Sequence, residues 1–152
     1  MSQGHKNPEK ILVTKKVRDF LEERRWRAIR HESGYVPGAG SFGEPGMADW
    51  QFVYYLGGKN GFSVVMWLEM KAPPTPRNKM RCNCKPAVRS ADGKKQLERA
   101  HKCRMHQQAD WQAAERERGA LVMQVDNPEE FAAWYADYFS WLPVRPPVRT
   151  KA

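Results

Sequence analysis

A chain of 152 residues is about one domain long, and 41% hydrophobic content with 6 Trp, 6 Phe and 5 Tyr is enough for a single packed core. No apolar run approaches the roughly 18 residues of a membrane span, and Met1-Ser-Gln-Gly-His-Lys6 lacks the apolar stretch of a signal peptide, so a cytoplasmic protein with no membrane partner is expected. The net charge of +9 is concentrated in residues 71–106, which hold 11 Lys and Arg against Asp92 and Glu98, while the rest of the chain balances at 15 basic and 15 acidic residues.

The first predicted element is a helix over residues 8–25. Leu12, Val13, Val17, Phe20 and Leu21 recur at spacings of three and four, Asn7 suits the cap and Pro8 the first turn. Trp26 to Arg30 then enter a strand. Residues 32–47 hold five glycines and two prolines and read as a long loop. Strands over about 49–56 and 62–70 follow as a hairpin, the second so apolar that it should be central and covered on both faces. After the Pro73-Pro-Thr-Pro76 break comes an irregular segment, then a helical pattern from about Asp92 to Arg118 that ends where Gly119 supplies a C-cap glycine. A short strand over 120–125 precedes a last helix opened by Asp126-Asn-Pro-Glu-Glu, whose Phe131, Trp134, Tyr135 and Tyr138 form an aromatic stripe expected to pack in the core. The order is α-β-β-β-α-β-α. Residues 1–142 are read as one domain with a basic, Cys/His-containing insert at about 74–106, and residues 143–152 as a flexible, basic, proline-rich tail.

The hairpin carries the chemistry. A symmetric turn centred on Lys59, within Gly57-Gly-Lys-Asn-Gly61, sets Asp49 directly opposite Glu69. Opposed residues on one sheet face have Cβ atoms roughly 4.5 to 5.5 Å apart, close enough for two carboxylates to share one hard divalent cation. Lys71 lies two residues beyond Glu69 and so points to the same face. Oxygen ligands from Asp49 and Glu69, with a carbonyl such as that of Met70, suit Mg²⁺ or Mn²⁺, the layout of a metal-dependent phosphodiesterase site.

Taken together, Gly46-Met-Ala-Asp49, Glu69-Met-Lys71 and Gln108 resemble the PD-(D/E)XK nucleases, and within them the virus-type replication-repair nuclease (VRR-NUC) family. Gln108-Ala-Asp-Trp111 followed by Gly119-Ala-Leu-Val122, Asn127-Pro-Glu-Glu-Phe131 at the entry of the final helix, and Glu9 near the start of the first helix extend the likeness across residues 8–139. Ala48 stands where the family usually has Pro, which alters a turn and keeps the ligand. The resemblance implies a restriction-endonuclease-like α/β core, a mixed sheet of about four strands flanked by helices, and hydrolysis of DNA phosphodiesters. It assigns metal binding to Asp49 and Glu69. Lys71 would orient or deprotonate the attacking water or offset phosphate charge, Gln108 would hold the nucleophile or Lys71, and Glu9 would bind metal directly or through water. Action on branched, flapped or four-way junction DNA in viral or bacterial replication, recombination or repair is implied as well, in a bacterial cytosol or an infected host cell.

Between Lys71 and Gln108 the family usually needs only a short link, whereas 36 residues intervene here. They contain Cys82-Asn-Cys84 and His101-Lys-Cys103-Arg-Met-His106. Three cysteines, an odd number, argue against a disulfide framework, and four ligands drawn from these five residues could hold a structural Zn²⁺ that orders an otherwise coreless loop. On a helix, His101 or Cys103 could join His106, and the spacing of three from Cys103 is the better one. Arg77, Lys79, Arg81, Lys85, Arg89, Lys94 and Lys95 are the expected grip on a DNA backbone. Cutting two strands with one site per chain favours a homodimer. The alternative from another class is a zinc-stabilised nucleic-acid-binding protein without catalysis.

Overall fold

The computed structural model describes residues 7–31, 34–36, 40–44, 46–75 and 103–143. The predicted insert residues Arg77, Lys79, Arg81, Cys82, Cys84, Lys85, Arg89, Lys94, Lys95 and His101, and the tail beyond Pro143, lie outside them.

Helix α1 (Pro8–Glu23) begins where the Asn7 side chain accepts from the backbone N–H groups of Glu9 and Lys10, with Pro8 in the first turn, where no N–H is needed. It ends in a Schellman arrangement: Trp26 N–H donates to Leu21 O and Arg25 N–H to Glu22 O, with Arg25 in the left-handed region at φ 68°. Strand β1 (Arg27–Arg30) follows directly. Within the predicted loop the backbone instead forms a short antiparallel pair, β2 (Gly34–Val36) with β3 (Gly40–Phe42). Glycine and proline mark turns, but a ladder needs only backbone N–H and C=O groups. Composition therefore masked two three-residue strands.

Strands β4 (Trp50–Gly57) and β5 (Phe62–Met70) form the anticipated hairpin, paired from Trp50↔Leu68 to Tyr55↔Ser63 before a bulge between Tyr55 and Gly57 near the tip. Helix α2 (Arg104–Glu117) closes with Gly119 at φ 90°, its N–H on Arg116 O and that of Ala120 on Glu115 O, a second Schellman end. It carries the chain to β6 (Leu121–Val125), which lies parallel to β5. Helix α3 (Pro128–Tyr138) is capped by Asn127 as α1 is by Asn7. The four-stranded mixed sheet runs β1-β4-β5-β6, open at both edges.

The sheet is covered on both faces, as the apolar β5 requires. On one face Phe52, Tyr54, Met66, Leu68 and Met70 meet Val13, Val17 and Leu21 of α1 and Phe131, Tyr135 and Phe139 from the α3 side. Buried Trp26 donates its indole N–H to the Tyr135 hydroxyl at 2.8 Å, so neither polar atom is stranded in that core. On the other face Ala48, Trp111 and Val122 form a smaller cluster with Trp67 under α2. The two predicted apolar stripes are trimmed: Leu12 and Tyr138 are exposed, Tyr138 stacking on Trp134 at the surface. No helix among the described residues is long and apolar enough to cross a membrane.

Candidate active site

Period-two alternation sends Val64, Met66, Leu68 and Met70 of β5 to the α1/α3 face, leaving Trp67, Glu69 and Lys71 for the face that meets α2. Glu69, the last of that row within β5, has 0% exposure. A carboxylate so placed is tolerated only if its oxygens are satisfied. Lys71 Nζ donates to Glu69 Oε1 at 2.7 Å, Gln108 Nε2 donates to the same oxygen at 2.9 Å, and the Asp49 backbone N–H donates to Oε2 at 3.2 Å. Lys71 Nζ also donates to Gln108 Oε1 at 2.8 Å, closing a three-residue ring. Only one orientation of the Gln108 amide serves that ring, with its oxygen toward the ammonium and its NH₂ toward the carboxylate.

Asp49 immediately precedes β4 and continues its register opposite Glu69. Its carbonyl accepts from His31 N–H at 2.8 Å on the β1 side, so its backbone is tied to both neighbouring strands. The turn before it docks on α2. Gly46 has φ 83°, and a Cβ there would lie 2.2 Å from Gln107 O and 2.7 Å from Gln108 N. Glycine is required at that close approach, which brings the Asp49 turn against the helical residue that reaches Glu69. Trp111 Nε1 donating to Glu44 Oε2 at 2.8 Å makes a second tie from the same loop to α2.

The structure thus brings together Asp49 from the turn before β4, Glu69 and Lys71 from the end of β5, and Gln108 from α2. Met70, named for its carbonyl, buries its side chain in the core on the opposite face. Glu9 is exposed and lines a groove with Leu12, Lys16, Pro73 and Asn127. The helix residue that reaches the site is Lys10, whose Nζ lies 2.7 Å from Asp49 Oδ2. Sequence reasoning missed it, because only the observed burial pattern points to it. Extended back at 100° per residue, the buried stripe Val13, Val17 and Leu21 centres within about 20° of Lys10 and about 80° from Glu9.

Cys103 and His106 also meet, Sγ to Nδ1 at 3.3 Å, because Cys103 caps α2 and His106 follows in its first turn. Their proposed companions Cys82, Cys84 and His101 lie outside the described residues, and among the described residues no three Cys, His, Asp or Glu converge as a metal-holding group.

Two carboxylates facing two ammonium groups, with an amide locking one of each, make a hard-oxygen site of balanced charge. Asp49 stays partly open, at 26% side-chain exposure, and Lys71 at 19%. That donor set fits Mg²⁺ or Mn²⁺, which take oxygen ligands, and offers nothing to a soft metal. Comparisons with protein-family models, curated proteins and solved structures return no match to the chain.

Proposed function

We propose that this protein is a divalent-metal-dependent endodeoxyribonuclease of the VRR-NUC type, built on a restriction-endonuclease-like core and acting on branched, flapped or four-way DNA. The observation that carries the reading is the juxtaposition of Asp49 and Glu69 across β4 and β5, with Lys71 and Gln108 joined to Glu69 in one hydrogen-bonded ring. Asp49 and Glu69 would hold the metal. Bound there, Mg²⁺ supplies charge neutralisation for a phosphodiester and a more acidic water. Lys71 offers an ammonium beside the carboxylates that orients the attacking water or offsets phosphate charge, and Gln108 keeps Lys71 and Glu69 in register. Hydrolysis adds water across one P–O bond: its oxygen joins phosphorus, the leaving alkoxide takes a proton, and a phosphate and a hydroxyl end result.

The concentration of basic residues in segment 71–106, which begins at Lys71, supports a polyanionic substrate. DNA affinity should therefore fall steeply with salt. A homodimer acting in the cytoplasm fits the cutting of two strands. The test is an assay on labelled linear, flapped and four-way DNA with Mg²⁺, Mn²⁺ or EDTA, using wild type, Asp49→Asn, Glu69→Gln and Lys71→Met. Mg²⁺-dependent cleavage of branched substrates, lost in all three variants, is the expected result. Cleavage that survives in the carboxylate variants removes the assignment.

The Cys103–His106 contact favours a second reading, a structural Zn²⁺ shared with Cys82 and Cys84 or His101. In its strongest form the chain is a zinc-stabilised DNA-binding protein without catalysis. That form requires about one zinc per chain by elemental analysis, together with DNA binding indifferent to Asp49→Asn and no strand cleavage.

A further inference from the structure

Lys10 stands apart from the other site residues. Glu69, Lys71 and Gln108 are mutually locked and largely buried, whereas Lys10 reaches Asp49 from a different element, with 36% side-chain exposure and one bond at 2.7 Å. A long four-carbon stem ending in a compact charge releases such a contact readily. We infer that Lys10 is an exchangeable internal cation: its ammonium sits on Asp49 Oδ2 and would leave when a divalent ion takes that carboxylate. This inference rests on the metal-site reading proposed above.

Charge argues for exchange over simple addition. Asp49 and Glu69 against Lys10 and Lys71 sum to zero formal charge, so the four-residue cluster has no net pull on a cation. With Lys10 withdrawn, Asp49, Glu69 and Lys71 carry one net negative charge and an open oxygen. Glu69 is the more committed carboxylate, since Lys71 and Gln108 both hold its Oε1, and only Oε2, which accepts the Asp49 N–H at 3.2 Å, has a lone pair left to share with a metal. Asp49 Oδ2 therefore becomes available at the loss of one partly exposed ion pair. A lysine that only tethered α1 to the sheet would behave differently, because its removal would loosen the fold without improving metal affinity.

The experiment is calorimetric titration of Mn²⁺ alone into wild type, Lys10→Met and Lys10→Arg at low salt without DNA, with thermal melts of each protein alongside. Lys10→Met should bind Mn²⁺ about three- to tenfold more tightly, the scale of an exposed ion pair plus a removed repulsion. Lys10→Arg, which keeps the charge, should stay near wild type, and the gain in Lys10→Met should shrink as salt rises. Equal or weaker Mn²⁺ binding by Lys10→Met overturns the inference and leaves the site reading standing. Absence of Mn²⁺ binding in all three proteins overturns both.

Discussion

Asp49 and Glu69 face each other across the β4–β5 hairpin so closely that the Asp49 backbone N–H donates to Glu69 Oε2 at 3.2 Å. The pairing is a property of register. A one-residue slip would turn Glu69 toward the α1/α3 core and Met70 toward α2, so the burial pattern that stabilises the sheet also fixes the carboxylate pair.

Glu69 should be the most costly site residue to remove. Glu69→Ala strips the buried acceptor from both the Lys71 ammonium and the Gln108 amide, and breaking such a pair destabilises by about 3 kcal/mol. Lys71 is near enough to solvent to recover some hydration, so Glu69→Ala with Lys71→Met should be less destabilised than the two single losses added together. Urea denaturation of the three variants measures the coupling.

Gly46 and Gly58 both have positive φ, yet substitutions there should differ sharply. Gly58→Ala meets open space and should cost about 1 kcal/mol, the backbone preference alone. Gly46→Ala drives a methyl into the α2 backbone at Gln107 and should cost about 3 kcal/mol or more. It should also abolish cleavage, because the turn carrying Asp49 loses its seat on the helix that supplies Gln108. Denaturation midpoints and the DNA assay check both.

Arg25 occupies the left-handed position that ends α1, where glycine is the least strained residue. Arg25→Gly should be about 1 kcal/mol more stable than Arg25→Ala, both having lost the side chain's own interactions, without changing metal affinity. A thermal melt and a Mn²⁺ titration report both quantities.

Burial raises the Tyr135 hydroxyl above its ordinary 10.0, and the Trp26 indole N–H that it accepts offsets this only in part. The fold thus prefers the neutral phenol. Its contribution is fully present below about pH 10 and is lost as pH rises through the higher folded-state value. Tyr135→Phe should cost about 1 to 2 kcal/mol at neutral pH, since the buried Trp26 N–H loses its acceptor, and should flatten the alkaline fall in stability. Denaturation at pH 8 and above pH 10 separates the two effects.

The hairpin was readable because glycines bracket its tip and the β5 run is almost continuously apolar, and a symmetric turn between the two strands then fixes which residues oppose. Gly119 and the paired Asn-Pro starts of α1 and α3 marked helix ends for equally local reasons. Lys10 was not readable by residue type, since most helical lysines are solvated, and Glu9 drew attention as a chemically suitable ligand. What distinguishes them is rotation about α1 relative to a sheet end, a tertiary relationship. The β2–β3 pair escaped for the opposite reason, its backbone hydrogen bonds leaving little trace in a glycine-rich composition.

The central claim, that Asp49 and Glu69 hold one divalent cation, is tested most directly by anomalous difference density from a crystal soaked in Mn²⁺. A single strong peak bounded by a carboxylate oxygen of each residue, with the Lys10 ammonium moved off Asp49, is the predicted result. Density elsewhere, or none at this pair while Lys10 and Lys71 keep their contacts, would contradict it.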